Sequence, residues 1–98
     1  MSNFLVIYKD SGKKFDESAE ELIIEHVDYL RSLDKNGTLS LCGAFMDNTG
    51  AMLVYDATTY EEVENIVLSD PLIKEKYYEF TISEFIEANE ANNFLLDE

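Results

Sequence analysis

This chain of 98 residues lacks tryptophan and has only one cysteine, one proline and one histidine. Because Cys42 is alone, no intrachain disulfide can form, which fits a reducing compartment. One histidine, one cysteine and scattered carboxylates make neither a zinc ligand set nor the spacing of a calcium loop. Four glycines could hardly build a phosphate-binding loop. We therefore predict no metal site and no cofactor.

Basic residues are scarce as well, with 7 against 21 acidic ones. The resulting net charge of −14 repels phosphate backbones, and no basic stripe could contact a nucleic acid. Anionic membrane surfaces are disfavoured for the same reason, and no apolar run approaches the roughly 20 residues that cross a bilayer. Residues 1–4 lack the basic region of a signal peptide. We expect a cytoplasmic protein that binds neither nucleic acid nor membranes.

The composition is that of a globular domain, since 46% of the residues are apolar and 12% are aromatic. The length suffices for one compact domain and not for two. We place this domain at residues 1–87 and an acidic C-terminal tail at residues 88–98. Within the tail, Phe94, Leu95 and Leu96 form a small apolar patch that could dock on the domain or on a partner.

Hydrophobic periodicity predicts a strand followed by a helix in the first third of the chain. Residues 4–8 form a short apolar run that ends in a turn cluster, which favours a buried strand. Asp16 or Ser18 can cap the following helix, and Asn36 with Gly37 can end it. The apolar residues of this helix recur every three or four positions and form one stripe. They are Ala19, Leu22, Ile23, Val27, Leu30 and Leu33.

A β-hairpin is predicted next, because residues 38–46 alternate, residues 47–50 form a turn and residues 51–55 return. The alternation places one set of first-arm residues on one face and the intervening residues on the other. One face carries Leu39, Leu41, Gly43 and Phe45, and the other face carries Ser40, Cys42 and Ala44. We interpret Cys42 as a small buried residue and not as a nucleophile, because no basic side chain lies near it in sequence.

The final third predicts a helix and a strand. Thr59 and Glu62 have the spacing of a capping box, Asp70 and Pro71 end the helix, and residues 78–83 favour a strand. The order strand, helix, strand, strand, helix, strand predicts an α+β fold of the ferredoxin-like type. In this fold two helices cover one face of a four-stranded antiparallel sheet. We predict that a second copy covers the other face, giving a homodimer; the C-terminal tail is the alternative cover.

His26 and Asp70 form the candidate catalytic pair. Histidine exchanges a proton near neutral pH, and helical spacing places His26 beside the apolar stripe, four residues after Leu22. Pro71 favours an extended conformation at Asp70, so its carboxylate could hold one imidazole nitrogen and leave the other as a general base. The alternatives are a filler role for His26 at the helix edge and a turn in which Asp70 bonds its own downstream backbone.

Three other residues could contribute to a site around this pair: Tyr8, Tyr29 and Asp34. Tyr8 and Tyr29 carry hydroxyls that could bind a substrate, and the alternative is that both rings belong to the core. Asp34 could compete for His26, but eight residues along one helix span about 12 Å, so Asp34 could reach it only across a dimer.

Four segments of this sequence resemble the YCII-related domain family, over a span from about Phe4 to Ile86. They are residues 6–8, the helix 26–33 that closes at Gly37, the strand 39–43, and the step Asp70-Pro71. The chain departs from the family pattern at Val27, where leucine is usual, at residues 23–25, which lack a basic residue, and at Ala44, where proline is usual.

The resemblance implies a small dimeric α+β barrel in which His26 and Asp70 match the histidine and aspartate proposed as a catalytic pair. A relative removes chloride from a chlorinated hydroxyquinone, and most members have no established reaction. The resemblance therefore favours a cofactor-free enzyme of lyase-like or hydrolase-like chemistry. The alternative is a non-catalytic dimeric module that binds a small organic ligand.

Overall fold

The computed structural model describes residues 1–96 and contains a four-stranded antiparallel sheet packed against helices. The strands are β1 (Ser2–Asp10), β2 (Leu39–Ala44), β3 (Gly50–Ala57) and β4 (Tyr78–Phe85), in the spatial order β2-β3-β1-β4. The helices are α1 (Glu17–Lys35), α2 (Tyr60–Leu68) and the short α3 (Pro71–Lys74). This is the ferredoxin-like order of an α+β fold, so the predicted fold class is confirmed.

The core lies between one face of the sheet and the helices. On β1, Phe4, Val6 and Tyr8 are buried while Leu5 and Ile7 between them are only partly buried, as expected when one face of a sheet is covered by helices. The buried cluster on the covered face comprises Phe4, Val6, Tyr8, Leu33, Leu39, Leu53, Tyr55, Ala57, Val63, Val67 and Ile73.

Local side-chain caps begin both long helices. Asp16, one of the two predicted caps, accepts a hydrogen bond from the backbone N–H of Ser18 at 3.0 Å. Thr59 accepts from the N–H of Glu62 at 3.2 Å, and the Glu62 carboxylate accepts from the N–H of Thr58 at 3.1 Å. The bonds to Ser18 and Glu62 satisfy N–H groups that the first helical turn leaves without a partner, and the bond to Thr58 fixes the residue before the cap.

β2 departs from the predicted alternation because of a bulge. Leu39 pairs with Tyr55, whereas Leu41 pairs with Val54, so one extra residue is inserted between them. As a result Leu39 is buried in the core and Leu41 lies on the opposite face, 58% exposed. The prediction that both leucines share a face was therefore wrong.

Cys42 lies on this same strand, and its predicted burial is also wrong. It pairs with Leu53 on the face that carries the helices, yet its side chain is exposed. The reason is that β2 is an edge strand of which only Leu39 is buried. The interpretation of Cys42 as a small core residue does not hold in the single chain.

The chain continues past β4 into a 3-10 segment, Glu90–Leu95. Phe94, Leu95 and Leu96 are 63%, 47% and 66% exposed, so the predicted apolar patch is not covered by the domain. The last two residues of the predicted tail, residues 97–98, lie outside the described part of the chain. Within residues 1–96 we find no helix long and apolar enough to cross a bilayer.

The junction of β1 and β3 generates a test of this packing. Gly50 faces Lys9 in the sheet, and a Cβ atom built on Gly50 would overlap the carbonyl oxygen of Tyr8. We therefore expect Gly50→Ala to lower the free energy of unfolding by roughly 1–3 kcal/mol, because the two strands must separate to make room.

Gly43 provides the matched control, since a Cβ built there meets no atom within 4 Å. We expect Gly43→Ala to change the free energy of unfolding by less than about 0.5 kcal/mol. Urea denaturation followed by circular dichroism measures both changes. Equal losses in the two variants would contradict the strand geometry.

Candidate active site

The candidate site forms where β1, α1 and the junction between α2 and α3 meet. β1 contributes Tyr8, α1 contributes His26, and the junction contributes Asp70. Asp70 is 0% exposed, which is unusual for a charged side chain. A carboxylate that is removed from water in this way needs hydrogen-bond partners, and the structure supplies them from all three elements.

The two oxygens of Asp70 are held by different groups. Oδ1 accepts the backbone N–H of Leu72 at 3.0 Å, which makes Asp70 the N-cap of α3, with Pro71 in the first helical position. Oδ2 accepts the hydroxyl of Tyr8 at 2.8 Å. Nδ1 of His26 lies 2.9 Å from Oδ1 and 2.8 Å from Oδ2. Asp70 thus bonds its own downstream backbone, as the turn interpretation predicted, and also contacts His26.

The contact with Asp70 determines which nitrogen of His26 carries the proton. An ionised carboxylate only accepts hydrogen bonds, so Nδ1 must donate. In the neutral ring, Nε2 then keeps its lone pair and can accept a proton from another molecule. The His26 side chain is 18% exposed, so Nδ1 is tied to the interior while the ring still reaches a surface cleft.

Tyr8 contacts this pair through its hydrogen bond to Asp70. Its side chain is buried, and burial together with the nearby Asp70 raises the pKa of Tyr8 far above its usual range. The same two causes raise the pKa of Tyr55. The Tyr8 phenol therefore stays protonated and donates to Asp70. Its hydroxyl is occupied in this way, and Tyr8 is also among the residues that line the cleft.

Tyr29 occupies a different place from the one predicted. Its hydroxyl donates to the carbonyl oxygen of Ile66 at 2.7 Å and so links α1 to α2. Tyr29 is absent from the described residues that line the cleft. The sequence suggested a substrate contact, but the structure gives Tyr29 the core-packing role that was its alternative. The helix turns it toward α2, three residues beyond His26.

The cleft beside His26 has a volume of about 430 Å³. Sequence reasoning identified His26 and Tyr8 in it but missed most of the other lining residues. Phe15 precedes the cap of α1 and Tyr78 begins β4, and neither position carried a signal beyond the aromatic side chain itself. The full lining is Tyr8, Phe15, Ile23, His26, Leu30, Cys42, Gly43, Ala44, Gly50, Ala51, Met52, Leu53, Leu72 and Tyr78.

The composition of the cleft indicates what it can do. Apart from His26, the described lining residues with a polar side-chain group are Tyr8, whose hydroxyl is bonded to Asp70, Tyr78 and Cys42. Within residues 1–96, we find no cluster of three or more histidine, cysteine, aspartate or glutamate side chains that could hold a metal ion. The arrangement places one oriented imidazole beside an apolar cleft.

Comparison with known proteins identifies the family. The sequence model of the YCII-related domain matches residues 1–86. This chain belongs to the YCII-related domain family. The predicted resemblance is therefore confirmed over nearly the whole chain. This YCII-related protein is also 33% identical over 66 residues to the uncharacterized protein YjpA of Bacillus subtilis (strain 168), a match that covers 67% of this chain and 78% of YjpA.

Two solved structures share the fold of this YCII-related protein. One is 5-chloro-2-hydroxyhydroquinone dehydrochlorinase (TftG) from Burkholderia phenoliruptrix AC1100, in complex with 2,5-dihydroxybenzoquinone. It has a TM-score of 0.65 and 20% identity, over 93% of this chain and 99% of TftG. The other is muconolactone isomerase, with a TM-score of 0.75 and 16% identity, over 90% of this chain and 92% of the isomerase. At these identities the likeness concerns the fold.

The position of the proton on His26 can be tested directly. We expect nitrogen-15 NMR of the imidazole to show Nδ1 protonated and Nε2 unprotonated in the neutral ring, because the buried carboxylate accepts only from Nδ1. In Asp70→Asn both tautomers should be populated, since an amide can accept from Nδ1 or donate to it.

Tyr29→Phe is the matched control, because it removes a hydroxyl bonded to Ile66 and removes none of the hydrogen bonds of Asp70. The tautomer should be the same in this variant as in the wild type. A wild-type ring protonated mainly at Nε2, or a tautomer that does not respond to Asp70→Asn, would contradict the assignment.

Proposed function

We propose that this protein is a small cofactor-free enzyme in which His26 acts as a general base on a substrate held in the cleft. The observation that supports this most is the contact of 2.8 Å between Nδ1 of His26 and Oδ2 of a fully buried Asp70. Burying a carboxylate is costly, and a carboxylate that orients a histidine beside a cleft is an arrangement suited to proton transfer.

The lone exposed cysteine supports a cytoplasmic location.

Three residues take distinct roles in this proposal. Nε2 of His26 removes a proton from the substrate or from water, and His26 is the catalytic residue. Asp70 is a positioning residue that holds the tautomer and stabilises the imidazolium once it forms. Tyr8 positions Asp70 through its hydroxyl, 2.8 Å from Oδ2. An oriented general base contributes about 10²–10⁴-fold to a rate.

Two reaction classes fit a single general base. In a lyase-like reaction, proton removal is followed by departure of a leaving group such as chloride. In a hydrolase-like reaction, the deprotonated water attacks the substrate. The name of TftG, a dehydrochlorinase of 5-chloro-2-hydroxyhydroquinone, provides a first test compound for this chain. It provides no more than that, since the two proteins share 20% identity.

A second candidate function is a non-catalytic module that binds a small organic ligand. The observation that favours it is the lining of the cleft, which is mostly apolar and carries few polar side chains, among them the imidazole of His26. Ligand sites of this composition are common without any chemistry. In that case His26 would orient the ligand, and Asp70 would only fix the ring.

We expect the wild-type protein to release chloride from 5-chloro-2-hydroxyhydroquinone, or to exchange carbon-bound hydrogen of small hydroquinones and cyclic ketones in D₂O, faster than buffer alone. His26→Gln should lower the rate by about 10²–10⁴-fold because it removes the base and keeps the size of the side chain. Asp70→Asn should also lower the rate, and the change of the His26 tautomer should accompany this loss. Chloride measurement and proton NMR follow both reactions.

Ile24→Gln is a matched control, since Ile24 precedes His26 on α1, is 63% exposed and is absent from the described cleft lining. It should retain the wild-type rate. Compounds that bind the cleft but react no faster than in buffer would refute the enzyme and leave the binding module. A wild-type rate in His26→Gln would also refute the role of His26 as the general base.

The uncovered face of the sheet supports a homodimer as part of the proposal. Leu5, Ile7 and Val54 point away from the helices and are only partly buried, and Leu41 and Phe85 on the same face are exposed. An apolar face of this kind is costly to leave in water. A second copy packed sheet to sheet around a twofold axis would cover it.

We expect light scattering after size-exclusion chromatography to give the mass of two chains. Ile7→Lys places a charge at the centre of the open face and should shift the mass toward one chain. The control is Leu68→Lys, which adds the same charge at an exposed leucine of α2, on the side of the sheet away from that face. A monomeric wild type, or equal dissociation of both variants, would contradict this interface.

A further inference from the structure

We infer that the cleft accepts an uncharged, planar, single-ring compound that lies against an aromatic wall and presents a polar group to Nε2 of His26. This inference rests on the proposed function, because it names the class of substrate for the same site. It derives from the side chains of the cleft and from the charge of the chain.

The aromatic wall consists of Phe15, Tyr78 and Tyr8, and it leads to His26. The ring centroids lie 6.1 Å apart between Phe15 and Tyr78, 5.6 Å between Tyr78 and Tyr8, and 6.5 Å between Tyr8 and His26. All four residues line the cleft; Phe15 is exposed and Tyr78 is half-buried, whereas Tyr8 is buried behind them. Aromatic rings attract other planar rings in stacked and edge-to-face arrangements, so a flat ligand gains contacts here that a puckered one does not.

The wall is held in place by residues outside the cleft. Phe15 stacks on Tyr77, with ring centroids 4.6 Å apart and planes at 22°. Nζ of Lys13 lies 4.4 Å from the centroid of the same Tyr77 ring and donates to the carbonyl oxygen of Glu75 at 2.7 Å. The loop that carries Phe15 is therefore fixed to the segment between α3 and β4. A preorganised wall binds a ring at a lower entropic cost than a mobile one.

The strand side of the cleft favours a ligand of limited size. Seven residues of β2 and β3 line it, and four of them, Gly43, Ala44, Gly50 and Ala51, have little or no side chain; the other three are Cys42, Met52 and Leu53. The volume of about 430 Å³ lies at the lower end of the range for small-molecule sites. Space beside these small residues and an aromatic wall of tilted rings together suit one ring with its substituents.

The charge of the site argues against anionic ligands. None of the described lining residues is lysine or arginine, and the chain as a whole carries a net charge of −14. A carboxylate in the cleft would lose its hydration without gaining a fixed counter-charge, and the acidic surface would repel its approach. An uncharged compound avoids both costs. The imidazole of His26, at the end of the wall, can bond the polar group of such a compound.

Benzamide and benzoate test the charge preference, because they share a planar ring and differ in charge. We expect titration at about pH 8 to show benzamide binding at least about tenfold more tightly than benzoate. Amide shifts of Phe15, His26 and Ala44 in nitrogen-15 spectra report occupation of the cleft. Benzoate binding as tight as that of benzamide would overturn the inference, and so would the absence of shifts with both compounds at millimolar concentration.

Two neighbouring isoleucines of α1 supply a matched pair of variants. Ile23 lines the cleft and is 38% exposed, whereas Ile24 is 63% exposed and is absent from the described lining. We expect Ile23→Lys to improve benzoate binding by about tenfold, since it supplies the missing counter-charge, and Ile24→Lys to leave it unchanged. An equal gain in both variants would mean that the net charge of the chain, and not the lining, excludes anions.

Cyclohexanecarboxamide tests the planar part of the inference, because it keeps the amide and replaces the flat ring with a puckered one. The wild type should prefer benzamide by about three- to tenfold, and Phe15→Leu should reduce this preference while the apolar lining is kept. Equal affinities in the wild type would overturn the role of the wall.

These measurements need no turnover, so they separate the inference from the proposed function. If benzamide is preferred and no compound reacts, the ligand class stands and the enzyme fails. If the protein catalyses proton transfer but prefers benzoate, the enzyme stands and the ligand class fails.

Discussion

The burial of Asp70 is the constraint on which the rest of the site depends. A carboxylate with 0% exposure must be surrounded by donors, and here they come from Tyr8 on β1, His26 on α1 and the N–H of Leu72 on α3. Each bond joins a different part of the chain to the same two oxygens. The hydrogen bonds that stabilise this junction of strand and helices are therefore the ones that orient the imidazole.

The edge position of β2 explains why a cleft opens beside that imidazole. Only Leu39 of this strand is buried, and the bulge after it turns Leu41 to the other face. The residues that follow, Cys42 to Ala44, are exposed and line a cleft, so no packed helix covers them. A regular strand fully covered by α1 would have closed this space, so the incomplete packing of the sheet is what makes the site accessible.

Comparison with two solved structures shows that proteins of this fold carry names of different reactions. TftG and muconolactone isomerase share the fold at 20% and 16% identity, and their names describe different reactions. The backbone arrangement tolerates wide changes of side chain, so it does not specify a substrate. The specific properties of this chain lie in its own lining, which joins an oriented histidine to aromatic and small apolar residues without a fixed positive charge.

The sequence by itself determined those features that depend on neighbours a few residues away. Periodicity located the strands and helices, the caps at Asp16 and Thr59 follow from local hydrogen bonds, and the step Asp70-Pro71 marked a fixed corner of backbone. His26 stood out because it is the one histidine. The fold class followed from the order of these elements, since few arrangements cover a split βαβ sheet.

Only the tertiary structure decided how the distant segments meet. The bulge in β2, the exposure of Cys42, the bond from Tyr29 to Ile66 and the wall formed by Phe15 and Tyr78 all depend on packing across the fold. The hydroxyl of Tyr8 and the carboxylate of Asp70 are 62 residues apart in sequence, and no local pattern encodes their contact. The physical reason is that periodicity specifies which face of an element is apolar, whereas the partner of each polar group depends on which elements pack together.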